Sequence, residues 1–165
     1  MVKAAQNQET NNVNNNTDTN VETNTAPITI RAQYIKDLSF ESPNPLRSFT
    51  AQAETAPNIS INIQARANSL GNNNFEVVLE FHAEAKQGED VMFVAELSYA
   101  GIVTIGNLIP EEHIRPMIMI DCPHLLFPFA RNIIADLTRD GGFTPLYLSP
   151  IDFASLYNQQ ETAGN

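Results

Sequence analysis

The sequence predicts an α+β fold, a four-stranded antiparallel sheet with helices packed on one face. Two observations predict it. Between Ile28 and Ile105, apolar residues recur at every second position in four long runs, the spacing of half-buried strands. Beyond Pro110 the spacing becomes helical, with prolines and a Gly-Gly pair marking the ends of the segments.

The first strand begins after residue 26. Residues 1–26 are Asn- and Thr-rich and nearly free of large apolar side chains, so they are expected to form a disordered tail. The tail also lacks the apolar core of a secretory signal. The folded domain is expected over 27–158, with a flexible C-terminal tail at 159–165. Ile28, Ile30, Ala32, Tyr34, Leu38 and Phe40 fall on even positions and Arg31, Gln33, Asp37, Ser39 and Glu41 on odd ones. Ile35 and Lys36 break the alternation, which predicts a bulge there. Pro43 and Pro45 end the strand. Residues 46–57 read as an irregular crossing loop.

The second strand carries Ile59, Ile61, Ile63, Ala65 and Ala67 on one face, and Gly71-Asn-Asn-Asn turns the chain. The third puts Phe75, Val77, Leu79, Phe81 and Ala83 on one side and Glu76, Glu80, His82 and Glu84 on the other. After a turn at 87–90, the fourth runs from Val91 to Ile105.

Pro110-Glu-Glu opens a short helix. A second is expected from about His124 to Arg139, ending at Gly141-Gly142. Starting it near Leu125 would make Pro128 tolerable, because first-turn amides are free anyway. Ser149-Pro-Ile-Asp reads as a cap for a last helix reaching about Asn158. The apolar residues of the second helix cover roughly 200°, whereas resting on one sheet needs a stripe of only ~100°. The excess is expected to face another subunit, with Phe127, Ile133, Ile134 and Leu137 as interface candidates.

Composition excludes several functions. Acidic residues outnumber basic ones 19 to 9, a formal net charge of −10, which disfavours nucleic acid and favours basic partners. No run approaches the ~20 apolar residues that span a membrane, so a cytoplasmic protein is expected. The single Cys122 excludes an internal disulfide. No nucleophile motif, phosphate loop or metal-binding motif occurs, so neither enzyme activity nor a cofactor or metal is expected. Cys122, near a helix start, is a candidate nucleophile only if its thiolate is stabilised; a buried structural role is the simpler reading.

Three blocks resemble the SecB family of protein-export chaperones. Residues 33–44, QYIKDLSFESPN, are similar to the family signature YxKDxSFExPN. FEVVL at 75–79 and FVAELSYAGI at 93–102 form the second block. CPHLLFPFAR at 122–131 and GGFTPLYLSPIDF at 141–153 form the third. The likeness runs in order over about residues 28–158. It implies a homotetramer, built as a dimer of dimers, that acts in the cytoplasm without ATPase activity. Such a chaperone holds secretory precursors unfolded and delivers them to the SecA ATPase of the Sec translocon.

The resemblance also implies site residues. Asp37 and Glu41 match the family's acidic positions that help bind a small, basic, zinc-containing SecA tail; Val94 and Glu96 match a leucine and a glutamate on a later strand. The zinc belongs to the partner. Asp37 and Glu41 are ~13 Å apart along one strand face at ~3.3 Å per residue. For unfolded preproteins, the client-binding candidates are Ile59, Ile61 and Ile63, with Phe40, Phe153 and Tyr157. The family often has a tryptophan in the crossing loop; this chain has none, and its place falls near Thr55. An acidic structural or adaptor oligomer that binds one folded partner would share the charge pattern but not bind diverse unfolded chains.

Overall fold

A computed structural model describes residues 26–50 and 56–163. The expected tail over 1–25, the position of Thr55 and residues 164–165 lie outside the described residues.

Four strands form one antiparallel sheet: β1 (Ile28–Glu41), β2 (Asn58–Gly71), β3 (Asn74–Gln87) and β4 (Asp90–Ile105), in the spatial order β1-β4-β3-β2. This is Greek-key order: β2, β3 and β4 are joined by hairpins, and residues 42–57 carry the chain from one sheet edge to the other. The crossing was anticipated, but its start is not irregular, since α1 (Pro45–Thr50) is a short helix. The β2–β3 turn places Asn72 at φ 52° and Asn73 at φ 57°. Asparagine tolerates this left-handed pair, which matches the twist of the hairpin.

The even-odd reading of β1 needs correction. Register shifts lie between Ile30 and Ala32 as well as between Ile35 and Asp37. The first shift turns Ala32 and Tyr34 to the face opposite Ile28 and Ile30; the second restores the original phase at Leu38 and Phe40. Only the second was visible as a break in the pattern.

Helices cover one sheet face. α2 (Glu111–Pro116), a π-helical turn (Met117–Asp121) and α3 (Cys122–Asp140) form one continuous rod where two separate helices were expected. Pro116, Pro123 and Pro128 all lie within it, so the expected start near Leu125, and the excuse it gave Pro128, do not hold. Each proline lacks an N–H and leaves an upstream carbonyl short of a donor. The π turn adjusts to this: the Cys122 N–H donates to the carbonyl of Met117, five residues back. His124 Nδ1 lies 2.9 Å from the carbonyl of Ile120 and donates to it. Burial holds the rod together despite its prolines, because Ile118 is buried and Met119 and Ile120 pack on the core.

The main core joins Ala65, Val77, Leu79, Phe81, Leu97, Tyr99 and Val103 of the sheet to Ile118, Cys122, Leu126, Phe127, Ala130 and Ile134 of the rod, with Leu148 and Phe153 closing it. Gly101 allows the closest approach of helix and sheet, since a Cβ there would sit 2.7 Å from Leu126 Cδ2. Buried Thr138 fastens the segment after α3: its hydroxyl donates back to the Ile134 and Ala135 carbonyls and accepts the Leu146 N–H at 2.9 Å. The last helix, α4 (Phe153–Ala163), is capped by Asp152 rather than Ser149, through the Ser155 N–H at 2.9 Å. It continues past the expected end at Asn158.

Two of the four interface candidates also need correction. Phe127 and Ile134 are core residues, 7% and 1% exposed, and Phe127 stacks on Phe81. Ile133 and Leu137 are half-buried and pack partly against the two apolar clusters. The excess apolar arc is real, but Leu125 and Phe129, 45% and 52% exposed, carry it.

Candidate functional site

The sheet face away from the helices is acidic. Register places Asp37 opposite Ser98, Ser39 opposite Glu96 and Glu41 opposite Val94. The second β1 bulge ends at Asp37, so regular alternation beyond it puts Asp37, Glu41, Val94 and Glu96 on this one face, across two hydrogen-bonded strands. Asp37, Glu41 and Glu96 are exposed and Val94 is half-buried.

Other carboxylates of this face are matched by cations. Glu80 pairs with Arg66, and Glu84 with Lys86, each at 2.9 Å. Glu96 accepts from His82 Nδ1 at 2.9 Å and from the Ser39 hydroxyl at 3.4 Å. Asp37 and Glu41 have no ion-pair partner among the described residues. Asp37, Glu96, Ser98, His82, Glu80, Asn62, Gln64 and Arg66 line one shallow depression running across the strands. No pattern in the residues indicated that β2 would reach this site. Its polar Asn62 and Gln64 join because the crossing connection delivers β2 to the far side of β3.

Glu76 anchors the opposite end of the face. It accepts from Tyr34 Oη at 2.5 Å, from Lys36 Nζ at 2.9 Å and from Asn68 Nδ2 at 3.2 Å, tying β1 and β2 to β3. The Tyr34 bond reaches across β4, where register puts Ala100 beside Tyr34. This contact exists only because the first bulge turns Tyr34 outward. These donors, Tyr34 first and Lys36 second, hold the Glu76 carboxyl at about 2, well below its ordinary value. A depressed carboxylate contributes stability above its unfolded pKa of about 4.5, and that contribution disappears as pH falls toward 2. Glu76→Gln is expected to cost about 1–2 kcal/mol at pH 7, allowing for solvent screening. Denaturant unfolding at pH 7 and pH 3 checks this: the gap between wild type and variant should shrink at the lower pH.

The apolar candidates lie on the helix-bearing face. One row of register across all four strands reads Ile61, Ala83, Ala95 and Phe40. The alanines leave room above them for the rings of Phe40, Phe93 and Phe143, whose centroids lie 5.0 to 6.0 Å apart. Ile59 and Ile61 remain 40% and 43% exposed at the β2 edge, and Ile63 is half-buried. Phe153 is fully buried against Phe127 and His124, so it is core and offers no surface. Tyr157 is half-buried on α4. Phe40 packs with one apolar cluster and Phe153 with the other.

Cys122 is fully buried, and burial together with the Asp121 charge pushes its thiol up to about 12. A thiol held this way is a structural residue rather than a nucleophile. No group of three or more potential metal ligands occurs among the described residues. No helix among them is long and apolar enough to cross a membrane.

A half-covered sheet with an acidic helix-free face and an exposed apolar edge is the geometry of a binding subunit. The family model described as Preprotein translocase subunit SecB matches residues 21–164. Protein-export protein SecB of Rhodospirillum rubrum is 49% identical over 138 residues, 84% of each chain. That of Rhodopseudomonas palustris strain HaA2 is 52% identical over 132 residues, covering 80% of this chain and 82% of its own. That of Bartonella bacilliformis is 46% identical over 160 residues, covering 96% and 93%. The chain belongs to the SecB family of protein-export chaperones. Its fold is also that of a SecB-like chaperone of Mycobacterium tuberculosis, solved in complex with a ChAD peptide from the HigA1 antitoxin. That match has a TM-score of 0.63 at 14% identity, over 76% of this chain and 91% of the other.

Proposed function

We propose that this protein holds secretory precursors unfolded in the cytoplasm and hands them to SecA, working without nucleotide as a homotetramer built as a dimer of dimers. One observation carries the reading: a single sheet presents two open surfaces of opposite chemistry on opposite faces. Asp37, Glu41, Val94 and Glu96 face away from the helices, whereas Ile59, Ile61 and Phe40 face toward them. A guest and a partner can therefore bind together.

Asp37, Glu41 and Glu96 supply negative charge for the basic, zinc-containing tail of SecA, and Val94 gives a small apolar contact between them. Exposed carboxylates of this kind chiefly raise the association rate and set orientation. Clients of many sequences need apolar, extended contacts rather than a tailored pocket. Ile59, Ile61 and Ile63 supply them at the β2 edge, and the unpaired outer edge of that strand can add backbone hydrogen bonds. Phe40 and Tyr157 contribute at the margins. Leu125 and Phe129, with Ile133 and Leu137 beside them, form the contact between subunits.

Light scattering of the purified protein is expected to give tetramer mass, and an unfolded secretory precursor diluted from denaturant should stay soluble in its presence without ATP. A monomer that leaves aggregation unchanged contradicts the proposal. A tetramer that binds one folded protein and no unfolded chain would instead identify an adaptor.

A further inference from the structure

His82 stands against Glu96, one of the carboxylates to which the docking role is given, and has no part in that role so far. Its Nδ1 is 2.9 Å from Glu96 Oε1, and both side chains are about half exposed, 49% and 53%. Opposite it on β2 is Asn62, and Glu80 and Glu84 lie two positions away on β3. Beyond β4, β1 presents Asp37, Ser39 and Glu41, and Asp37 lines the same depression. The fixed cations here, Arg66 and Lys86, are already paired with Glu80 and Glu84. His82 is the histidine of this cluster, the residue type that exchanges a proton most readily near neutral pH.

Resting on the docking reading above, we propose that His82 is a built-in competitor for Glu96 and makes recognition of a basic partner pH-sensitive. When neutral, the imidazole donates one hydrogen bond and leaves the carboxylate its full charge. When protonated, it neutralises Glu96 and repels an arriving lysine or arginine. Docking is therefore strong at mildly alkaline pH and weakens as His82 takes up a proton.

The test uses a Lys/Arg-rich peptide free of Cys, His, Asp and Glu, whose own charge is constant over this range. Its Kd for the full-length protein is measured at pH 8 and pH 5.5 in low salt. Wild type should bind about threefold more weakly at pH 5.5, the size expected for one added like charge several ångströms away in water. His82→Asn should abolish that difference and bind more tightly than wild type at pH 5.5. By linkage, saturating peptide bound near neutral pH should expel protons from the wild-type protein, read by calorimetry in buffers of different ionisation heat. This second readout needs no His82 variant. An equal pH dependence in wild type and His82→Asn, or peptide binding with no release of protons, overturns the inference. Peptide that binds at pH 8 and is lost on Glu96→Lys, yet shows no pH dependence, refutes the role of His82 and leaves the docking reading standing. Peptide that binds at neither pH removes the docking reading, and this inference with it.

Discussion

Replacing Leu125 and Phe129 together by glutamate is expected to dissociate the proposed tetramer while leaving the subunit folded. The two side chains lie one helical turn apart on α3 and are 45% and 52% exposed in the isolated subunit. Covering one such side chain at a subunit contact is worth about 1–2 kcal/mol at roughly 25 cal/mol per Å², and in the proposed tetramer four subunits would repeat the contact. A glutamate buried there without a partner adds a further cost. Phe127→Glu is the contrasting variant. Phe127 is inside the core against Phe81 and Phe153, so that change should unfold the subunit rather than separate subunits. Light scattering reads the assembly and circular dichroism the fold. Tetramer mass retained in the Leu125/Phe129 double variant would show that α3 does not form the contact.

Glu96→Lys and Asp37→Lys are each expected to weaken docking of the SecA tail by about tenfold or more, which corresponds to about 1.4 kcal/mol. Both positions are exposed on the helix-free face, so the fold should tolerate the change. Reversal removes an attraction and adds a repulsion, and the repulsion suppresses the encounter itself. Asp37 gives the cleaner measurement. Among the described residues its carboxylate has no ion-pair partner, whereas Glu96→Lys also releases His82. Retention of an unfolded client should be nearly unchanged, because Ile59 and Ile61 are on the opposite face. Titration calorimetry with the tail peptide and an aggregation assay with a precursor separate the two effects. Equal loss of both activities would mean that the face has no role of its own.

The strands were legible because burial on one face writes itself into alternation, and the asparagine and glycine turns announced both hairpins. The phase of β1 was legible only in part. Ile35-Lys36 interrupts the pattern, but the first bulge falls at Arg31, where the alternation continues unbroken through Ala32 and Tyr34. A tyrosine reads as apolar in a periodicity and is equally at home with its hydroxyl on Glu76, as the structure has it. The helical rod was split at the wrong place because its second helix was started near Leu125 to make Pro128 tolerable, and the packing of Ile118 and Leu126 that carries the rod through its prolines is a tertiary effect. The width of the apolar arc on α3 was correct, but periodicity cannot say which part of it meets the sheet. That is decided by Gly101, which draws Leu126 inward and leaves Leu125 outside. The acidic positions came from the resemblance of the β1 and β4 segments to the SecB family. The polar floor contributed by Asn62 and Gln64 did not, since it depends on which strand neighbours β3.

In the proposed function, guest and motor bind independent surfaces of one assembly. The most direct measurement is the affinity of the SecA tail peptide for the chaperone with and without a saturating unfolded precursor, in the absence of nucleotide. The same Kd is expected in both cases, with a ternary complex that elutes as one species. Mutually exclusive binding, with precursor displacing the peptide in proportion to its occupancy, would contradict it.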